Sequence, residues 1–175
     1  PLSTMIDFAL FVPTCLLVNI TFGPNNLLGM THAAGKGWRF AFWAGLGRIP
    51  PFILMISALA VGLGVLLDTW PAAFMALKMV GASYLVFLGV RIWRSAADEV
   101  AWERVRELSL AQAFRREAIV AGTNPKAIVL MAALFPRFVD PQAYWITYSQ
   151  VGLIFLIGEV LALILYVLIG ATMAL

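Results

Sequence analysis

Five long apolar runs fill most of this chain, and their length is the feature that most restricts how it can fold. They lie at about 5–33, 40–67, 72–93, 118–135 and 144–175. A helix that crosses a bilayer needs about 20 predominantly apolar residues. The runs are continuous rather than alternating with a period of two, which favours helices over the strands of a barrel. The sequence therefore predicts an all-α, polytopic membrane protein with five visible spans.

Composition and charge support the same class and exclude others. The chain is 62% hydrophobic and 12% charged, whereas ordinary soluble domains are about 25% charged. The net charge of +3 arises from cations that gather at the ends of the apolar runs, which is typical of membrane orientation rather than of nucleic-acid binding. One histidine and one cysteine form no metal-ligand or nucleophile–base cluster. We expect no metal, no cofactor and no enzymatic activity.

The positions of lysine and arginine predict the orientation of the spans. One set lies at the connections after the first and third runs and comprises Lys36, Arg39, Arg91, Arg94, Arg104, Arg106, Arg115 and Arg116. The opposite side has only Lys78 and Arg137. Because cytoplasmic loops carry the excess of cations, segment 94–117 is expected in the cytoplasm and the N-terminus outside.

Two similar interruptions, 100 positions apart, divide the first and fourth runs. They are "ITFGPNNLLGM" (20–30) and "VAGTNPKAIVLM" (120–131). A proline inside a helix removes a donor and displaces the carbonyl four residues back, so Pro24 and Pro125 each expose polar backbone. Paired interruptions in corresponding positions of two halves point to the binding site of a transporter. The alternative is structural, since proline is common in membrane helices and asparagine can simply bond to a neighbouring helix.

These interruptions supply the candidate substrate-binding residues. They are Gly23, Pro24, Asn25, Asn26, Asn124, Pro125 and Lys126. Downstream of each interruption, one charge follows a glycine inside an apolar run: Arg48 in the first half and Glu159 in the second. Intramembrane charges usually face a partner or a water-filled path. We predict that Arg48 and Glu159 pair across a pseudo-two-fold axis; the alternative, that each meets a different polar group, stays open.

This internal symmetry predicts an inverted repeat of three plus three helices. Residues 1–93 would form the first repeat, 94–117 a polar cytoplasmic linker, and 118–175 a second repeat that lacks its last helix. Either the sequence stops before a sixth helix or that helix is supplied otherwise.

Three segments in order resemble one family of membrane proteins. "GPNNLL" (23–28), "LKMVGASYLVFLGVRIW" (77–93) and "NPKAIVLMAALFPRFVDP" (124–141) are similar to the lysine-exporter superfamily, in its homoserine/threonine-resistance branch. The resemblance implies a six-helix bacterial inner-membrane exporter of amino acids or their derivatives, driven by the proton gradient. Three positions depart from the family's pattern: Phe22 stands where a proline is usual, Arg48 where many relatives have an aspartate, and Glu117 where a glycine is common.

A binding scheme follows from this implied substrate. The N-termini of the half-helices that begin at the two prolines, with Asn25, Asn124 and either Lys126 or Arg48, would hold the carboxylate of an amino acid. The carbonyls freed at Ile20 and Ala121, with Glu159, would hold its ammonium group. Access to this midplane site would alternate as one repeat rocks against the other.

The proton carrier and the rival functions complete these expectations. Glu159 is the expected proton carrier. His32 is expected to be solvated at the cytoplasmic end of the first span, with a proton relay as the alternative.

The partners would be an amino acid, protons and the bilayer, and a homo-oligomer is left open. The alternative function is a non-transporting membrane subunit or assembly factor. The residues do not identify which amino acid is carried.

Cysteine labelling in cells tests the predicted orientation. In a Cys15→Ala background, Arg104→Cys should react with a membrane-impermeant maleimide only after the cells are opened. Arg137→Cys, on the opposite side, should react in intact cells. Labelling of position 104 in intact cells would contradict the orientation.

Overall fold

The computed structural model describes residues 2–69 and 107–173, and the regular structure in these two segments is helical. The helices are α1 (Leu2–Ile20), α2 (Pro24–Lys36), α3 (Trp38–Gly45), α4 (Ile49–Thr69), α5 (Leu110–Gly122), α6 (Pro125–Leu134) and α7 (Tyr144–Thr172). Short 3-10 turns lie at Leu46–Arg48, Phe135–Arg137 and Pro141–Ala143. The predicted third run (72–93), with Lys78, and most of the predicted linker lie outside the described residues.

The helices include membrane-length segments, as predicted. Two are long and apolar enough to cross a bilayer, Trp38–Gly62 and Tyr144–Thr172. Two further candidates are bent pairs: α1 meets α2 at an angle of 57°, and α5 meets the segment Lys126–Arg137 at 49°. The described residues therefore contain two to four candidate spans. The class of polytopic helical membrane protein is confirmed, while the span number and the inverted repeat stay predictions.

Both bends occur at the predicted interruptions, and the local sequence explains them. Helix α2 begins at Pro24 with Gly23 as its N-cap, and α6 begins at Pro125. Proline is favoured at the first position of a helix because the N–H that it lacks would have no intrahelical partner there. The side chain of Asn124 caps α6 by accepting a hydrogen bond from the Lys126 backbone N–H at 3.1 Å.

Helix α5 begins at Leu110, inside the segment that the sequence analysis assigned to the polar linker. A capping box starts it: the Ser109 hydroxyl accepts from the Gln112 backbone N–H, and the Gln112 side chain accepts from the Ser109 N–H. Such a box satisfies donors that a helix start otherwise leaves free. The helix is amphipathic. Its exposed arginines interrupt the apolar run, so a search for long apolar runs does not reveal its buried face. That buried face comprises Ala113, Glu117 and Ala121.

The two bent pairs run antiparallel. Three contacts join them at successive levels: Lys36 with the carbonyl of Leu108, Asn25 with Asn124, and the ring of Phe11 with that of Phe135. As residue numbers fall in the first pair they rise in the second. This is the arrangement that an inverted repeat requires.

Helix α7 packs closely against the first bent pair through glycines. A Cβ atom at Gly158 would meet the side-chain amide of Asn19, and one at Gly170 would meet the backbone carbonyl of Met30. Small residues let membrane helices approach this closely. The packing holds α7, and with it Glu159, beside the first interruption.

Adding one methyl group at Gly170 tests this packing. Gly170→Ala should lower the thermal stability of the detergent-solubilised protein, since overpacking against backbone costs about 1–3 kcal/mol. Gly62→Ala is the matched control, because no described atom lies within 4 Å of the added Cβ. Equal unfolding temperatures for Gly170→Ala and the unmodified protein would contradict close packing of α7 on α2.

Candidate functional site

A cavity lies where the two interrupted helices meet. Six predicted site residues line it: Gly23, Asn25, Asn26, Asn124, Lys126 and Glu159. Its remaining lining is Asn19 and an apolar wall of Val18, Phe52, Ala127, Leu130 and Phe155. The centres of water-sized molecules can occupy about 20 Å³ of it, and one water needs roughly 10–15 Å³. The structure thus brings both interruptions to one site, in a state too narrow for an amino acid.

Asn25 connects the two interruptions. Its Oδ1 accepts a hydrogen bond from Asn124 Nδ2 at 3.2 Å. Its Nδ2 donates to Glu117, to the backbone oxygen at 3.2 Å and to Oε2 at 3.1 Å. An amide side chain offers both donors and an acceptor, and Asn25 uses both kinds. Its orientation is therefore fixed from two helices.

Asn26 and Asn19 satisfy backbone groups near the first bend. Asn26 Nδ2 donates to the carbonyls of Asn19 at 2.9 Å and Thr21 at 3.3 Å. Asn26 Oδ1 accepts from Arg48 Nη1 at 3.2 Å. Asn19 Nδ2 donates to the Phe155 carbonyl at 3.2 Å, which ties α1 to α7. Buried polar groups are costly unless they are paired in this way.

The carbonyls of Ile20 and Ala121, expected to hold an ammonium group, already have donors. The Ile20 oxygen accepts from the Tyr166 hydroxyl at 2.8 Å. The Ala121 oxygen accepts from the backbone N–H of Asn124 at 3.2 Å. Of the three acceptors expected for the ammonium group, Glu159 is therefore the one that lines the cavity.

Lys126 reaches across from α6 to the end of α1. Its Nζ donates to the Thr21 carbonyl at 2.8 Å. A Cβ atom on Gly23 would lie 3.3 Å from that Nζ, so the glycine makes room for the ammonium group. Lys126 is therefore held at the cavity by the opposite interruption.

Arg48 lies fully buried between two carboxylates. Its Nη2 is 2.9 Å from Glu117 Oε2, and its Nη1 is 3.8 Å from Glu159 Oε2. The nearer partner is thus Glu117 rather than the predicted Glu159. Arg48 Nη2 also donates to the backbone oxygen of Asn25 at 2.7 Å. The guanidinium holds together α2, α5 and α7 from its 3-10 turn.

Two of the three departures from the resembled family's pattern, Arg48 and Glu117, contact each other. Arg48 and Glu117 are both fully buried, and their ion pair gives each unusual charge a partner. A buried charge without a partner would be costly, so the presence of one explains the presence of the other.

The expectation of a solvated His32 is wrong, because its side chain is fully buried. The ring lies edge-on to Phe40, with centroids 6.1 Å apart. His32 Nδ1 is 3.5 Å from Glu117 Oε1. Helix α2 therefore presents His32 to the charge cluster, which we define as His32, Arg48, Glu117 and Glu159.

Sequence reasoning missed Asn19 and Glu117 as members of the site. For Glu117 a signal was present in the sequence: it stands four residues from Ala113 and four from Ala121. That spacing marks one face of a helix, and the structure buries this face. Asn19 stands alone in an apolar stretch, "LLVNI", where an amide needs a partner. Neither pattern predicts which residue the side chain of Asn19 or Glu117 contacts.

The cavity can bind groups of either charge. It offers the Lys126 ammonium, the Glu159 carboxylate and the amides of four asparagines. Within residues 2–69 and 107–173, no group of three or more His, Cys, Asp or Glu side chains is arranged to hold a metal ion.

Comparisons with known proteins bear on the whole chain. A family model described as "LysE type translocator" matches residues 16–175. An uncharacterized membrane protein of Vibrio cholerae is 31% identical over 144 residues, covering 82% of this chain and 70% of that protein. No solved structure matches the chain.

Two further relatives have named activities. The homoserine/homoserine lactone efflux protein of Salmonella typhimurium is 35% identical over 132 residues, which cover 75% of this chain and 64% of that protein. The leucine efflux protein of Salmonella choleraesuis is 29% identical over 143 residues, covering 79% and 66%. The matched segments span about two thirds of these relatives.

Substitutions at Arg48 and Glu117 test the buried ion pair. Arg48→Met alone should destabilise the solubilised protein by about 3–5 kcal/mol, because it leaves a buried carboxylate unpaired. Arg48→Met with Glu117→Met should recover most of that loss. Arg116→Met, at an exposed position of α5, is the control. Additive losses in the double variant would show that the two residues are not coupled.

Proposed function

This chain belongs to the family of LysE-type translocators, and we propose that it is an inner-membrane secondary transporter that exports amino acids or their derivatives. The family consists of transporters rather than enzymes. The observation that carries the proposal is the cavity at which both interrupted helices meet. It combines an ammonium group, a carboxylate and paired amides at one place.

The charges of the cavity match those of a zwitterion. Lys126, with the amides of Asn25 and Asn124, would bind the α-carboxylate. Glu159 would bind the α-ammonium group. The named relatives export homoserine or homoserine lactone and leucine. Homoserine and leucine share these two groups and differ in their side chains, whereas the lactone keeps the amino group and has an ester in place of the carboxylate. Recognition of the α-carboxylate and α-ammonium groups at the interruptions is consistent with transport of either homoserine or leucine.

Alternating access would open this cavity to each side in turn. On one side lies an aromatic cluster in which the ring of Phe155 is 6.0 Å from Phe52 and 5.7 Å from Phe135. On the other side lies the charge cluster. Phe52 and Phe155 of the first cluster and Glu159 of the second line the cavity, which has room for about one water. This supports assigning the described conformation to a closed state between two open ones.

Proton coupling and orientation belong to the same proposal. Inward flow of protons would drive export, with Glu159 in contact with both the cavity and Arg48. The N-terminus would lie outside and segment 94–117 in the cytoplasm. The bilayer, an amino acid and protons are the partners, and self-association into a homo-oligomer remains compatible with them.

Transport in proteoliposomes tests the function. Radiolabelled L-homoserine and L-leucine are the probes, each assayed with and without an imposed proton gradient. We expect proton-dependent transport of at least one. Asn25→Ala and Asn124→Ala should each lower it by about tenfold or more, since the loss of a buried polar partner costs about 1–3 kcal/mol.

Gln150→Ala removes an exposed amide from α7 and serves as the matched control. Transport that survives both asparagine changes would move the site away from the interruptions. Folded protein that transports neither probe nor any other amino acid would favour a non-transporting membrane subunit.

A further inference from the structure

We propose that His32 and Glu117 form a proton-binding site behind Arg48, and that Arg48 moves from Glu117 to Glu159 when the proton binds. This inference rests on the proposed export function and supplies its coupling step. The proton would bind outside the substrate cavity, and the guanidinium would carry its effect to the substrate.

The position of Arg48 makes such a transfer possible. One guanidinium faces two carboxylates, at 2.9 Å from Glu117 and 3.8 Å from Glu159. Glu159 lines the cavity, whereas Glu117 is not among its lining residues. A charge-assisted hydrogen bond has a length of about 2.7–2.9 Å, so a shift of about 1 Å would exchange the partners.

Unsatisfied atoms identify where the proton binds. Glu117 Oε1 and both ring nitrogens of His32 are buried and have no hydrogen-bond partner among the described residues. Oε1 and Nδ1 are 3.5 Å apart. A buried polar atom without a partner costs about 1–3 kcal/mol. A proton held between these two atoms would give both of them a partner.

The charges around the site account for the effect of that proton. Five elements contribute: His32 from α2, Arg48 from its 3-10 turn, Glu117 from α5, Lys126 from α6 and Glu159 from α7. With His32 neutral, two cations face two carboxylates. When Glu117 is protonated, Glu159 is the remaining anion, and Arg48 is drawn towards it.

Proton binding then opposes substrate binding. A proton from solution adds to the unprotonated ring nitrogen of neutral His32, Nε2. The Nδ1 proton passes to Glu117 Oε1, which forms an O–H bond and leaves His32 neutral, with no change of oxidation state. Arg48 releases Glu117 and pairs with Glu159. The carboxylate of Glu159 is then unavailable to the ammonium group of the substrate, which leaves the cavity. Loss of the proton reverses these contacts, so the protein exchanges a proton for a substrate molecule.

Two measurements on the whole chain test the coupling site. The first records release of protons when L-homoserine or L-leucine is added to solubilised protein in weakly buffered solution with a pH indicator. The second measures the KM of substrate exchange (counterflow) in proteoliposomes as a function of pH. The unmodified protein should release protons, and its KM should rise as the pH falls.

Glu117→Gln mimics the protonated carboxyl group. It should release no protons when substrate is added. Its KM should be raised by about fivefold or more, the size of a typical coupling free energy. This raised KM should be independent of pH. Exchange should persist at saturating substrate. Glu117→Asp should restore the pH dependence. Glu107→Gln, an exposed glutamate ahead of α5, should behave as the unmodified protein does.

Several results would overturn the inference and are distinct from failure of the export function. Proton release and a pH-dependent KM that survive in folded Glu117→Gln would remove Glu117 from the coupling. Loss of all exchange in that folded variant would show a role in binding instead. If Glu117→Gln does not fold, His32→Gln decides, and normal coupling in it would refute the site. Absence of exchange in the unmodified protein contradicts export itself.

Discussion

The buried guanidinium of Arg48 is the interaction on which the rest of this structure depends. It contacts the backbone of Asn25, the side chain of Asn26 and the carboxylate of Glu117, and it lies 3.8 Å from Glu159. A fork of five N–H donors can satisfy several acceptors at fixed angles. One side chain therefore orients both asparagines of the first interruption and links three helices.

The interruptions make that cluster possible, because they bring polar backbone into an apolar interior. The N-termini of the helices that begin at Pro24 and Pro125 lie close together, and the amides of Asn25 and Asn124 join them. Irregular backbone at membrane depth is tolerated where it is buried in protein or lines a cavity. Here Asn26, Lys126 and Tyr166 supply donors to the carbonyls of Asn19, Thr21 and Ile20 around the first bend.

The sequence was sufficient to predict the helical class, both bends and six of the polar and glycine residues that line the cavity, because proline chemistry and apolar length are local properties. The start of α5 was not predictable from apolar runs, since Arg115 and Arg116 lie on its exposed face. The burial of His32 and the closeness of Glu117 to Arg48 depend on how three helices pack. Charge spacing predicted Glu159 as the partner of Arg48, whereas the packing of α5 brings Glu117 closer to it.

The antiparallel contact between Asn25 and Asn124 has a mechanical consequence. These asparagines belong to the two bends, so a rotation of one bent pair against the other can take them as its pivot. The Lys36–Leu108 contact lies eleven residues along α2 from Asn25, or about 16 Å at the rise of a helix. A rotation of about 10° would separate that end by roughly 3 Å while hardly moving the asparagines. The helix ends would thus be long lever arms about a nearly stationary cavity.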